Sequence, residues 1–105
     1  MELNFRYVFH MPLYKYVDNE LTPIEIDAIL EELIADLNEE SFYIARVESH
    51  YKSRKFDELL LTVFTASAGI EEVFKKWFFK NNHILCQEAF SFELNNTMYI
   101  EKLGD

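Results

Sequence analysis

The chain has 105 residues, 50% of them hydrophobic and 16% aromatic. That length is expected to form one α+β domain over 1–105, and the apolar share is too high for intrinsic disorder. With 19 acids against 10 bases, the formal net charge is −9, which argues against direct nucleic-acid binding, because such proteins usually carry a basic surplus on one face.

The single cysteine, Cys86, excludes an intrachain disulfide and a zinc site built from cysteines. The first residues, Met-Glu-Leu-Asn-Phe-Arg, lack the basic start and apolar run of a signal peptide. No stretch reaches the roughly 18 apolar residues that a membrane span needs. A cytoplasmic protein without membrane contact is expected. Residue usage rich in Phe, Ile, Asn, Lys and Glu suits a low-GC bacterium or its phage.

Leu3, Phe5, Tyr7 and Phe9 alternate with Asn4, Arg6, Val8 and His10. Period two with aromatic and branched residues predicts a half-buried strand. Met11 to Leu21, with Pro12, Asp18 and Asn19, reads as a connection. Thr22-Pro23-Ile24-Glu25 then reads as a helix start: a hydroxyl cap, a proline at the first position and an acid to close a capping box. Ile26, Ile29, Leu30, Leu33, Ile34 and Leu37 form one apolar stripe on that helix, which Asn38 to Ser41 ends.

Phe42 to Tyr51 predicts a second strand, Lys52-Ser53-Arg54-Lys55 a turn, and Phe56 to Thr65 a third strand pairing back as a hairpin. Ser67 is the expected cap of a second helix striped by Ile70, Val73, Phe74, Trp77 and Phe78. Its acids Glu71 and Glu72 precede its bases, the order that the helix dipole favours. Asn81-Asn82 is the expected stop. An extended segment follows from Ile84 to Leu94, then a tight turn at Asn95-Asn96 and a short fifth strand from Thr97 to Leu103. The order predicts a ferredoxin-like βαββαβ plan: an antiparallel sheet with both helices on one face and a short C-terminal strand added.

The charge is unevenly placed. Asp18 to Glu40 holds nine acids and no base. Asp27, Glu31, Glu32 and Asp36 therefore give the first helix an acidic outer face. One reading is a solvated face that keeps the protein soluble; the other is a docking face for a basic partner.

No P-loop, dinucleotide fingerprint, nucleophile elbow or HExxH occurs. No catalytic residue, metal site or cofactor is expected. Strand alternation places Arg6, Val8 and His10 on the sheet face away from the helices, with Ile44, Arg46, Glu48, Leu60, Thr62 and Phe64. His50 lies near the end of its strand and is expected close to His10. Arg6, His10, Arg46, Glu48, His50 and Phe64 are thus the candidate ligand or partner residues. The exposed apolar area around them makes a non-catalytic binding or regulatory module the leading expectation, self-associating as a homodimer or binding a protein. A small acidic inhibitor mimicking nucleic-acid phosphates is one alternative. An enzyme with a His/Glu/Arg site on the sheet is the other.

Overall fold

The computed structural model describes residues 1–103. Strand β1 (Phe5–Pro12) is followed by a hairpin of β2 (Tyr14–Val17) and β3 (Glu20–Pro23), then helix α1 (Asp27–Asp36). A long hairpin comes next, β4 (Ser41–Tyr51) with β5 (Arg54–Thr65). Helix α2 (Ile70–Leu85) leads to a last hairpin, β6 (Ala89–Leu94) with β7 (Thr97–Lys102). Among the described residues the main sheet runs β4-β5-β1-β6-β7, all neighbours antiparallel, and β2-β3 forms a separate two-stranded sheet. The simple ferredoxin-like βαββαβ expectation is therefore corrected. Among the described residues seven strands and two helices follow the order β-β-β-α-β-β-α-β-β, in two sheets.

The difference begins in the segment read as a connection. Asp18 and Asn19 both adopt positive φ, 51° and 65°, and so close a two-residue hairpin turn. Pairing then runs Val17 with Glu20 through Tyr14 with Pro23. Thr22 is consumed by this ladder and cannot cap a helix; its hydroxyl donates to the Glu20 carbonyl at 3.3 Å. Helix α1 starts later, with Ile26 as its N-cap and no side-chain cap. The long hairpin also turns on two residues, Lys52 and Ser53, both at positive φ. Asn95 and Asn96 close the last hairpin in the same way.

Helix α2 runs past the expected Asn81-Asn82 stop because both side chains satisfy backbone groups locally. Asn81 Nδ2 donates to the Trp77 carbonyl at 2.9 Å. Asn82 Oδ1 accepts from the Gln87 backbone N–H at 3.0 Å, which binds the helix end to the chain beyond it. The helix stops at Cys86, which is left-handed at φ 52°. Cys86 is thus an exposed cap residue and not part of an apolar strand. At the other end Gly69, at φ 98°, is the N-cap in place of Ser67.

Phe5, Tyr7, Phe9 and Met11 of β1 face the helices, with Leu59, Leu61 and Val63 of β5 beside them. Phe9 stacks on Phe74 with ring centroids 4.4 Å apart. Trp77 packs against Phe74 and donates its indole N–H to the Ile29 carbonyl at 2.6 Å, tying the helices together. Among the described residues the other face of the sheet carries no helix.

Candidate functional site

Residues at the end of β1, where β5 and β6 begin, line a cleft of about 760 Å³. Drug-sized ligands commonly occupy sites of roughly 300–1,000 Å³. The β2-β3 hairpin gives one wall, with Tyr14, Tyr16 and Leu21. The tip of the long hairpin gives a second, with Tyr51, Arg54, Lys55 and Phe56. Phe78, Gln87 and Phe90 stand at the back, and His10, Asp57, Glu58 and Ser91 add polar groups.

The hairpin wall is held in place by the end of α2. Lys15 Nζ donates to the Ile84 carbonyl at 2.8 Å. A cation there meets unpaired carbonyls and the negative end of the helix dipole. The Gln87 amide bridges the Leu85 carbonyl, at 2.7 Å, and the Tyr14 carbonyl, at 3.4 Å.

The polar rim is built on the helix-free face. His10 Nε2 lies 2.8 Å from Glu93 Oε2, and Nδ1 lies 3.2 Å from Glu58 Oε1. Ser49 Oγ donates to the same Glu58 oxygen at 2.7 Å. The chain Ser49–Glu58–His10–Glu93 therefore crosses four neighbouring strands, β4, β5, β1 and β6. Register explains it: His10 pairs with Leu60 and Ser91, so Glu58 and Glu93 project diagonally beside it on the same face. Burial alone would lower the His10 pKa, but the bonds to Glu58 and Glu93 outweigh it and hold the pKa above the ordinary histidine value. Burial opposes ionisation of Glu58, yet the His10 and Ser49 bonds hold its carboxyl below the usual carboxylate range. An imidazolium between two carboxylates fits both shifts, since only the charged ring donates from both nitrogens.

The residues expected to meet on one face are divided between two. Arg6, His10 and Phe64 lie on the helix-free face. Arg46, Glu48 and His50 lie on the other, because Phe42 pairs with Val63 and Ile44 with Leu61. The expected assignment of Ile44, Arg46 and Glu48 is off by one residue, which reverses a whole strand. Arg46 bonds Asp57 at 2.8 Å, and His50 bonds Glu48 at 2.8 Å, all near the exposed hairpin tip. His50 does not approach the His10 network. Arg6 engages through its backbone N–H, which donates to Asn95 Oδ1 at 2.8 Å. Phe64 packs beside Tyr43, centroids 6.5 Å apart. Of the acidic set, Asp27, Glu31 and Asp36 are exposed on α1. Glu32 is met by Lys80 of α2 at 2.5 Å. Among the described residues no group of His, Cys, Asp and Glu is arranged to hold a metal.

The sequence reading missed Glu93, Ser49 and the tyrosines of the β2-β3 hairpin as site residues. The Tyr14/Tyr16 alternation before Asp18-Asn19 was the available signal for the hairpin. Nothing local marked Glu93, because its role depends on β6 lying beside β1.

No family model and no curated protein matches the chain. A solved structure does: a phage SAM lyase in complex with S-methyl-5′-thioadenosine. Identity is 13%, the match covers 98% of this chain and 92% of that chain, and the TM-score is 0.52. The likeness is one of fold, and the fold is one that a phage enzyme uses from end to end. The leading expectation of a non-catalytic module working through its open sheet face, with its nucleic-acid-mimic alternative, is corrected on this finding. Among the described residues no helix is long and apolar enough to cross a membrane.

Proposed function

We propose that the protein is an enzyme that cleaves a sulfonium nucleoside of the S-adenosylmethionine type, with the cleft beside His10 and Glu58 as its site. The observation that carries this reading is the whole-chain fold likeness to the phage SAM lyase. The cleft supports it chemically. Tyr14, Tyr16, Tyr51 and Phe56 offer aromatic faces for a purine. Aromatic faces also attract a sulfonium cation. Arg54 and Lys55 stand where they can meet the carboxylate of the amino-acid arm.

Cleavage of this kind consumes no co-reactant. The carbon–sulfur bond of the amino-acid arm breaks, its electron pair goes to sulfur, and a neutral thioether nucleoside leaves. The carbon left behind completes its valence within the same arm: a carboxylate oxygen forms a bond to it as the carbon–sulfur bond breaks, closing a lactone.

The test is incubation of purified protein with S-adenosylmethionine and chromatography for S-methyl-5′-thioadenosine. Saturable release is expected, with loss of at least tenfold in kcat/KM when Tyr14 or Phe56 becomes alanine, about 1.4 kcal/mol of transition-state binding or more. No release, together with no binding of either nucleoside by calorimetry, overturns the reading.

A further inference from the structure

We propose that Glu58 is the counter-charge that recognises the cationic centre of the ligand, and that His10 is the positioning residue that aims it. This rests on the sulfonium-nucleoside reading above and says how that site tells substrate from product.

Both recorded bonds to Glu58 fall on one oxygen. His10 Nδ1 and Ser49 Oγ converge on Oε1. Oε2 has no protein partner among the described residues. The Glu58 side chain is 17% exposed and lines the cleft, and its two donors leave Oε2 as the oxygen that a ligand can engage. Glu93 holds the far side of the His10 ring at 2.8 Å, which prevents the ring from turning away. A carboxylate tied by two donors loses little orientational freedom on binding. The same two donors make it a weak base, which suits a fixed negative charge and not a proton acceptor.

A fixed negative charge next to a sulfonium has a definite kinetic signature. The sulfur is cationic in the bound substrate and becomes neutral as its carbon bond breaks. Glu58 therefore binds the ground state better than the transition state, and the product least of all. Such an interaction lowers KM without raising kcat. It captures the cation and releases the neutral thioether.

The experiment compares two non-reacting ligands by calorimetry: an S-adenosylmethionine analogue with an ammonium group in place of the sulfonium, and neutral S-adenosylhomocysteine. Wild type is expected to prefer the ammonium ligand by about tenfold or more, the scale of one charge-assisted bond. Glu58→Gln brings the preference near parity, raises KM for S-adenosylmethionine, and leaves kcat equal or higher. His10→Leu lowers the preference several-fold and His10→Gln restores part of it, while affinity for S-adenosylhomocysteine stays the same in both; a purely structural role would weaken both ligands together. Ser49→Ala, which removes only one donor, provides a milder variant should Glu58→Gln fail to fold.

Equal affinity for the two ligands in wild type, a preference that survives Glu58→Gln, or a fall in kcat at constant KM overturns the counter-charge and leaves the nucleoside reading standing. Failure of wild type to bind any adenosyl ligand overturns both.

Discussion

The two faces of the central sheet are built from the same strands by opposite physics. Beneath the helices, Tyr7, Phe9, Met11, Leu61 and Val63 are fully buried and meet Phe74, Trp77 and Phe78. On the bare face the next residues along, His10, Glu58 and Glu93, form an ionic chain that remains partly wet. Stability concentrates on the first face, where each side chain is removed from water. Chemistry concentrates on the second, where groups that titrate or attract charge stay within reach of a ligand. Period-two alternation lets one strand serve both, and β1 does so residue by residue.

The largest effect should come from the covered face. Phe74→Ala removes the ring stacked on Phe9, and a loss of about 3–5 kcal/mol in denaturant unfolding is expected. A loss below about 1 kcal/mol would mean that the two faces do not divide the work in this way. Trp77→Phe keeps most of the packing but removes the indole bond to the Ile29 carbonyl; about 1 kcal/mol is expected, by thermal or chemical unfolding.

Lys15→Met tests the cleft wall. Its amine holds the β2-β3 hairpin to the end of α2, so amide exchange across Tyr14–Pro23 should quicken while the main sheet stays protected. Unchanged exchange would show that the hairpin is held by packing alone.

On the bare face the effect is smaller and depends on pH. The His10 pKa is raised, so its contribution to stability is full below the unfolded value, about 6.5, and is lost as pH rises through the folded value. The Glu58 pKa is lowered, so its contribution is full above the unfolded value, about 4.3, and is lost as pH falls through the folded value. The gap in melting temperature between wild type and His10→Gln should be widest between about pH 4.5 and 6.5 and narrow on the alkaline side. A gap that widens toward alkaline pH would reverse the assigned charges. The smallest effect belongs to the hairpin tip. Glu48 and His50 form an exposed pair, and His50→Ala should leave the melting temperature unchanged within error.

Much of the fold was legible from pattern. Both helical stripes and the pairing of the two long hairpin strands follow from residues that bury one face. The β2-β3 hairpin was not read, because Thr22-Pro23-Ile24-Glu25 carries a stronger helix-start signal than the short strand it belongs to. Asn81-Asn82 reads as a stop, yet the Asn81 side chain folds back onto the Trp77 carbonyl within the helix and the Asn82 side chain holds the Gln87 N–H just beyond its end. In the site, His10 stood out in the sequence as a candidate. Its partner Glu93 did not, since it lies 83 positions away in the chain and reaches His10 only because β6 lies beside β1.

The sequence by itself determined the apolar excess, the acidic first helix and the two-faced character of β1, because these depend on composition and local period. Tertiary structure decided which faces met. The register of β4 on β5 sent Arg46, Glu48 and His50 away from His10, and the placement of β6 beside β1 brought Glu93 to it. Register is a choice between pairings that differ by one residue, and it is settled by the buried side chains of several strands at once. No single segment contains that information. The half-apolar, strongly acidic chain thus resolves into a core that any register would seek to bury and an ionic chain that only one register assembles.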